Sequence, residues 1–316
     1  MKIVILDSYP LNSGDLSWEP LKEFGSLTVF ERTMPHQVVE RIAGADAVFT
    51  NKVKLNKENL KSVPYLKFIG EMATGTDNID VETAKQLGIV VSNVPSYSAA
   101  FTAQTTIALL LELTHHVAEN AAAVARGEWS SCADFSFWKK PLVDLEGKTM
   151  VIVGLGNIGG RVAQIATALG MTVVAAQLPH REYDSDSTHL PLAEALPIAD
   201  VVSLHCPLKP ETKGLVNSEF LVKMKESAFL VNTGRGGLIN EADLADALKK
   251  GIIAGYAADV LSVEPPPADN PLLKAPNALI TPHIGWASPE ARQRCLNTSI
   301  ENFRSFLKGQ PQNVVG

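Results

Sequence analysis

The tightest constraint on this chain lies in residues 149–161, TMVIVGLGNIGGR. Met150, Val151, Ile152 and Val153 read as a buried strand, and apolar residues at helical spacing follow at Val162, Ile165, Ala166 and Leu169. Between strand and helix stand Gly154, Gly156 and Gly159. At this spacing the first glycine makes the bend, the second lets a pyrophosphate approach the backbone, and the third lets helix and strand pack closely. Asn157 and Ile158 then open the helix, so the N–H groups of its first turn face the phosphates. The glycine spacing alone is a weak signal; placed between a strand and a helix it predicts a dinucleotide site, for NAD or NADP.

The flanking sequence repeats the same alternation. Apolar segments at residues 3–6, 27–30, 47–50, 66–70 and 90–92 are separated by amphipathic stretches such as 35–43 and 81–87, which predicts a parallel sheet with helices on both faces. The loop Ala73 to Asp80 follows one of these strands. Open α/β sheets bind ligands at strand carboxyl ends, so Thr74, Gly75 and Thr76 are candidate substrate contacts, while Asp80 also suits a helix cap. Residues 98–127 predict one long, largely buried helix closed by Gly127. On it His115 and His116 would point about 100° apart, a poor arrangement for sharing a metal, and no metal site is expected. After the glycine turn, strands at 172–176, 201–204, 228–232 and 252–257 alternate with helices at 217–224 and 241–249, and a last helix covers 288–307. The second half is therefore also doubly wound. Residues 128–141 carry Trp129, Phe135, Phe137 and Trp138 without a clear period, and read either as a lid or as an arm packing on a second subunit.

Composition narrows the partners. A chain of 316 residues, 46% hydrophobic, has material for two ordinary domains. Its net charge of −6 gives no electrostatic footprint for nucleic acid or an anionic membrane, so a small anionic substrate needs local cations. The apolar run at 3–6 stops at Asp7, too short for a signal sequence, and no run approaches a membrane span. Cys132, Cys206 and Cys295 are odd in number and widely spaced, as expected of reduced thiols in a cytoplasmic protein.

Three further segments, NTGRGGLIN at 232–240, DVLSVEP at 259–265 and TPHIGW at 281–286, give the chain a close resemblance to the D-isomer-specific 2-hydroxyacid dehydrogenases. The resemblance covers nearly the whole length and includes the Ala73 to Asp80 loop and the glycine turn. It implies Arg235, Glu264 and His283 as catalytic residues, Asp259 as the carboxylate anchoring the nicotinamide, and Thr233 beside the cofactor. It also implies a Rossmann cofactor domain at 98–286, inserted in a flavodoxin-like substrate domain made of 1–97 plus 287–316, in a homodimer. Tyr97, Ser98, Gln104 and the 283–286 segment look most like glycerate dehydrogenases and hydroxypyruvate reductases, with glyoxylate as a poorer substrate and Trp286 a candidate for closing the pocket.

The chemistry agrees with that resemblance. Reducing a 2-oxo acid needs a proton for the carbonyl oxygen, and histidine, as the side chain whose ordinary pKa lies near the operating pH, suits that task at position 283. Glu264 as its partner would favour the imidazolium. Arg235 would hold the substrate carboxylate and polarise the carbonyl, with the Thr74 to Thr76 amides on the carboxylate's other side. Gln177 stands at the end of the strand after the glycine turn, where NAD-binding folds place a ribose-holding acid; with His180 and Arg181 just beyond, its neutrality leaves NADP open. Two other functions fit the same residues: a D-lactate-type dehydrogenase, and a corepressor-like module that uses the fold for nucleotide-dependent interaction.

Overall fold

A computed structural model describes residues 1–179, 181–184 and 188–316; His180 lies outside the described residues. The chain divides into two compact units, Met1–Ser98 with Trp286–Gly316, and Ala99–Gly285. Both are α/β, each around a fully parallel sheet, so the doubly wound class read from the alternation holds.

In the first unit the strands are β1 (Lys2–Ile5), β2 (Ser26–Val29), β3 (Ala47–Thr50), β4 (Phe68–Glu71) and β5 (Val90–Ser92), in the order β2-β1-β3-β4-β5. All four residues of β3 and of β4 are buried, as expected of strands covered on both faces. One face packs against the helix Pro289–Leu307 through Phe303, whose ring lies 5.6 Å from that of Phe49 and 5.1 Å from that of Phe68. Gly70 makes this possible, since a Cβ there would sit 2.5 Å from the Phe49 ring. The other face is closed by Val38, Ile42, Leu60 and Ala84.

The second unit contains β6 (Thr149–Val153), β7 (Thr172–Ala176), β8 (Val201–Leu204), β9 (Phe229–Asn232), β10 (Gly255–Ala258) and β11 (Ala278–Ile280), in the order β11-β10-β9-β8-β6-β7. The helix Ala99–His115 packs its buried stripe, Ala103, Ile107, Leu110 and Leu113, into the cluster formed by Met150, Ile152, Val162, Val231 and Ala257. The strand order reverses between β6 and β8, which puts the glycine turn at the point where doubly wound sheets open to ligands.

The single helix expected over 98–127 is two, Ala99–His115 and Val117–Ala125, broken at His116 with φ 49°. Local side-chain bonds compete with the helix here. The Glu112 carboxylate accepts the Ala118 amide at 3.2 Å, and Asn120 Nδ2 donates to the His116 carbonyl at 2.9 Å. Strand β11, three residues long and half-buried, was not anticipated because so short a run has no readable period.

Candidate active site

The glycine turn divides its three positions by space. A Cβ on Gly154, which has φ 104°, would lie 2.6 Å from the Cys206 amide nitrogen, and one on Gly159 would lie 2.3 Å from the Gly154 carbonyl oxygen. Those two glycines are required by the protein itself. Gly156 differs, because a Cβ there would meet nothing within 4 Å. The open space lies at the N-terminus of the helix Asn157–Ala168, where Gly156 provides no capping side chain. These features fit a dinucleotide pyrophosphate, with Gly156, Asn157 and Ile158 to hold it and their helix end complementary to its charge. Beside Gly154, burial lowers the His205 ring to about 4 and pushes the Cys206 thiol up to about 11, so both are neutral at neutral pH.

Gln177 follows β7 directly, but its amides are already engaged within the protein. The side-chain Nε2 donates to the His189 carbonyl at 3.1 Å, and the backbone N–H to the Leu190 carbonyl at 2.8 Å. Arg181 lies over the Tyr183 ring, whose hydroxyl accepts the Leu178 amide at 2.9 Å.

Arg235 is carried by a turn that Asn232 clamps. Asn232, fully buried at the end of β9, accepts the Gly234 amide through Oδ1 and donates through Nδ2 to the Arg235 carbonyl, each at 3.0 Å. Gly236 then packs backbone to backbone on the next loop, since a Cβ there would lie 1.9 Å from the Leu261 carbonyl carbon. Leu261 in turn donates its amide to Glu264 Oε1 at 3.0 Å. The other oxygen, Oε2, lies 2.6 Å from His283 Nδ1, and both side chains are about one-third exposed. Arg235 is half-buried, with Nη1 donating to the Gly234 carbonyl at 3.0 Å. The loops carrying Arg235 and Glu264 therefore touch, and Glu264 meets His283.

His283 adopts φ 54°, in the left-handed region that a non-glycine residue occupies only when its surroundings impose it. Asp259, 2% exposed, is the agent. Its Oδ1 accepts the Thr281 hydroxyl at 2.6 Å and the Ile284 amide at 2.8 Å, and its Oδ2 accepts the Gly285 amide at 2.6 Å. Asp259 thus holds the His283 loop on both sides. Thr233 is buried at the start of the Arg235 turn, with its hydroxyl 2.7 Å from that of Thr106.

In the first unit, the Ala73–Asp80 loop follows β4 as expected, and Asp80 caps the next helix by accepting the Thr83 amide at 2.9 Å. Thr74 is tied to the segment leaving β5: its hydroxyl donates to the Val94 carbonyl at 2.8 Å, and its carbonyl accepts Asn93 Nδ2 at 2.7 Å. Behind the loop, Asn78 Nδ2 donates to Glu71 Oε2 at 3.0 Å. Trp286 packs against the apolar cluster of this unit that contains Leu11, Phe49 and Tyr97. Asn232 and Asp259's grip on the loop were missed in the sequence; a polar residue closing an apolar strand just before a glycine turn was the signal for the first. Among the described residues, no group of three or more His, Cys, Asp or Glu is placed to hold a metal ion.

Comparison with known proteins accords with this geometry. The NAD-binding domain of the D-isomer specific 2-hydroxyacid dehydrogenases matches residues 107–285. The chain is a nicotinamide-dependent oxidoreductase. It belongs to the D-isomer specific 2-hydroxyacid dehydrogenases. Hydroxypyruvate reductase of Blautia hydrogenotrophica is 46% identical, over 100% of this chain and 99% of its own length. Glycerate dehydrogenase of Methylorubrum extorquens is 38% identical, over 99% and 98%. Among solved structures, an NADPH-dependent glyoxylate/hydroxypyruvate reductase from Sinorhizobium meliloti in complex with citrate aligns over 100% of this chain and 97% of its own, at 26% identity and a TM-score of 0.85.

Proposed function

We propose that this enzyme reduces hydroxypyruvate to D-glycerate, with glyoxylate as a poorer substrate and NADH or NADPH as the reductant. The observation that carries the reading is the 2.6 Å pair between His283 Nδ1 and Glu264 Oε2, with the Glu264 loop packed on that of Arg235, in a chain 46% identical to a hydroxypyruvate reductase. With Nδ1 facing the carboxylate, Nε2 is the atom left to serve the substrate. Gly156, Asn157 and Ile158 would hold a nicotinamide dinucleotide whose chemistry, when bound, would be hydride donation to the carbonyl carbon. His283 gives its Nε2 proton to the carbonyl oxygen and becomes neutral imidazole, while Glu264 orients the ring through Nδ1. Arg235 holds the substrate carboxylate and polarises the carbonyl, and the Thr74, Gly75 and Thr76 loop is its second carrier. Thr233, Asp259 and Gln177 complete the cofactor side; Asp259 has its three present donors, and a carboxylate has about four acceptor sites.

A site built to hydrogen-bond the C3 hydroxyl rejects a substrate lacking it by up to about four orders of magnitude. Measuring kcat/KM side by side for hydroxypyruvate, glyoxylate, pyruvate and 2-oxoisocaproate, with each cofactor, tests the assignment. A tenfold or larger preference for pyruvate or 2-oxoisocaproate would remove hydroxypyruvate while leaving the family in place.

The same reading extends to assembly and location. Among the described residues no helix is long and apolar enough to cross a membrane. The segment around residues 128–142 leaves Phe135 91%, Trp138 64% and Trp129 54% exposed, which supports a homodimer whose partner covers these rings. We place the dimer in the cytoplasm; sedimentation of the purified protein checks the first claim and fractionation of cells the second.

A further inference from the structure

The buried stripe of the helix Ala99–His115 contains hydroxyls where aliphatic side chains would serve packing better. Thr102 and Thr106 are 7% and 1% exposed, one helical turn apart on the face that also carries Ala103, Ile107 and Leu110. A buried hydroxyl is costly unless bonded, so each such position calls for a partner. Thr102 finds one outside its own helix: its hydroxyl donates to the Gly285 carbonyl at 2.8 Å. The Gly285 amide donates to Asp259 Oδ2 at 2.6 Å, so the two successive peptides that flank the Gly285 Cα are each held at the end of the His283 loop.

Thr106 reaches the other loop. Its hydroxyl donates to the Thr102 carbonyl at 2.8 Å and lies 2.7 Å from Thr233 Oγ1. A hydroxyl has one proton. With Thr106's committed to a carbonyl, the proton between the two threonines belongs to Thr233, which donates to Thr106 and turns its own lone pairs toward any donor that approaches. One helix face thereby holds the Gly285 carbonyl that ends the His283 loop and sets the hydroxyl polarity of Thr233, two residues before Arg235.

We propose that Thr102 and Thr106 are positioning residues for hydride transfer, Thr102 acting through Gly285 on His283 and Thr106 acting through Thr233 on the nicotinamide cofactor. The inference rests on the function proposed above and adds a division of labour to it: the two threonines govern different steps. Loss of the Thr102 hydroxyl loosens the acid and leaves cofactor affinity alone. Loss of the Thr106 hydroxyl frees the Thr233 proton to rotate and weakens cofactor binding, with the acid still in place.

The experiment compares Thr102→Val and Thr106→Val with the wild type and with Thr102→Ser and Thr106→Ser. NADH dissociation constants come from fluorescence titration without substrate, and kcat for hydroxypyruvate is followed against pH. Thr102→Val should lower kcat by about ten- to a hundredfold and move the alkaline limb to lower pH, with the NADH dissociation constant within about twofold of wild type. Thr106→Val should raise that constant by about three- to tenfold and leave the limb where it is. Both serine variants should behave as wild type. Parallel loss of turnover and affinity in the two valine variants, or no change in either, overturns the proposal, as does a serine variant that fails like its valine counterpart. If a valine variant does not fold, the alanine and serine pair at that position carries the same comparison. A wild type inactive on every 2-oxo acid would instead sink the functional reading, and the Thr106 titration would still judge the inference.

Discussion

The Glu264 carboxylate divides its two oxygens between backbone and imidazole: Oε1 accepts the Leu261 amide at 3.0 Å and Oε2 faces His283 Nδ1 at 2.6 Å. The first contact fixes the rotamer that makes the second. Replacing Glu264 by Gln keeps the size and one acceptor oxygen but removes the negative charge that faces the ring. Turnover of hydroxypyruvate should then fall, and His283→Ala should lower kcat by about two to four orders of magnitude. Unchanged kcat in Glu264→Gln would show that the pair does not function together.

The three glycines of the nucleotide turn should fail differently. Gly159→Ala places a methyl 2.3 Å from the Gly154 carbonyl, so it should cost about 1–3 kcal/mol of stability whatever ligand is present. Gly156→Ala meets no protein atom and should leave the melting temperature nearly unchanged while weakening NADH binding at least about tenfold. Thermal melts and NADH titrations of both variants separate the two effects; equal losses of stability would contradict the division.

The proposed place of Gln177 at the cofactor ribose makes charge there the test of cofactor choice. With no acid there, NADPH should be used measurably, and Gln177→Asp should shift the kcat/KM ratio toward NADH. The Gln177 Nε2 bond to the His189 carbonyl adds a second expectation: aspartate cannot donate it, so the Asp variant should also lose some stability. Strict NADH dependence in the wild type, unchanged in the variant, would place Gln177 away from the ribose.

Stability should depend on pH through Glu71, which is fully buried at the end of β4 and held well above its ordinary range by that burial. An acid whose folded pKa lies above its unfolded value binds more protons in the folded state between the two values. Stability is therefore greatest below the unfolded value, declines as pH rises from there through the folded value, and is level above it. Glu71→Gln should flatten that decline. Melting temperatures recorded from acid to neutral pH would disprove this if wild type and variant ran parallel.

Much of the fold was legible because both sheets announce themselves by the same device, short apolar runs separated by amphipathic helices. The candidate-site motifs stand out because each lies at the end of a strand or just after it, at Asn232, Asp259 and Thr281, where a parallel sheet presents groups to ligands. Less legible were features that depend on pairs far apart in sequence. The motif that proposes Asp259 as a cofactor ligand does not reveal its bonds to Ile284 and Gly285, and nothing local marks Thr102 as the partner of a carbonyl 183 residues away. The break at His116 was hidden because Glu112 and Asn120 look like ordinary helix surface residues.

The first unit is built from both ends of the chain. Ile3, Ile5, Phe49 and Phe68 share a cluster with Leu296, Ile300 and Phe303, and Ser92 donates its hydroxyl to the Gln312 carbonyl at 2.8 Å. During synthesis this imposes an order of assembly: the beginning of the chain must wait for its end, while Ala99–Gly285 already has every strand of its own sheet. In a chain released after Gly285, protease should cut residues 1–98 and spare the segment behind them, and equal survival of both would show that the early residues close a core alone. An interrupted message would therefore release a chain able to hold nucleotide beside an unfinished, sticky sheet, a product suited to capture by chaperones.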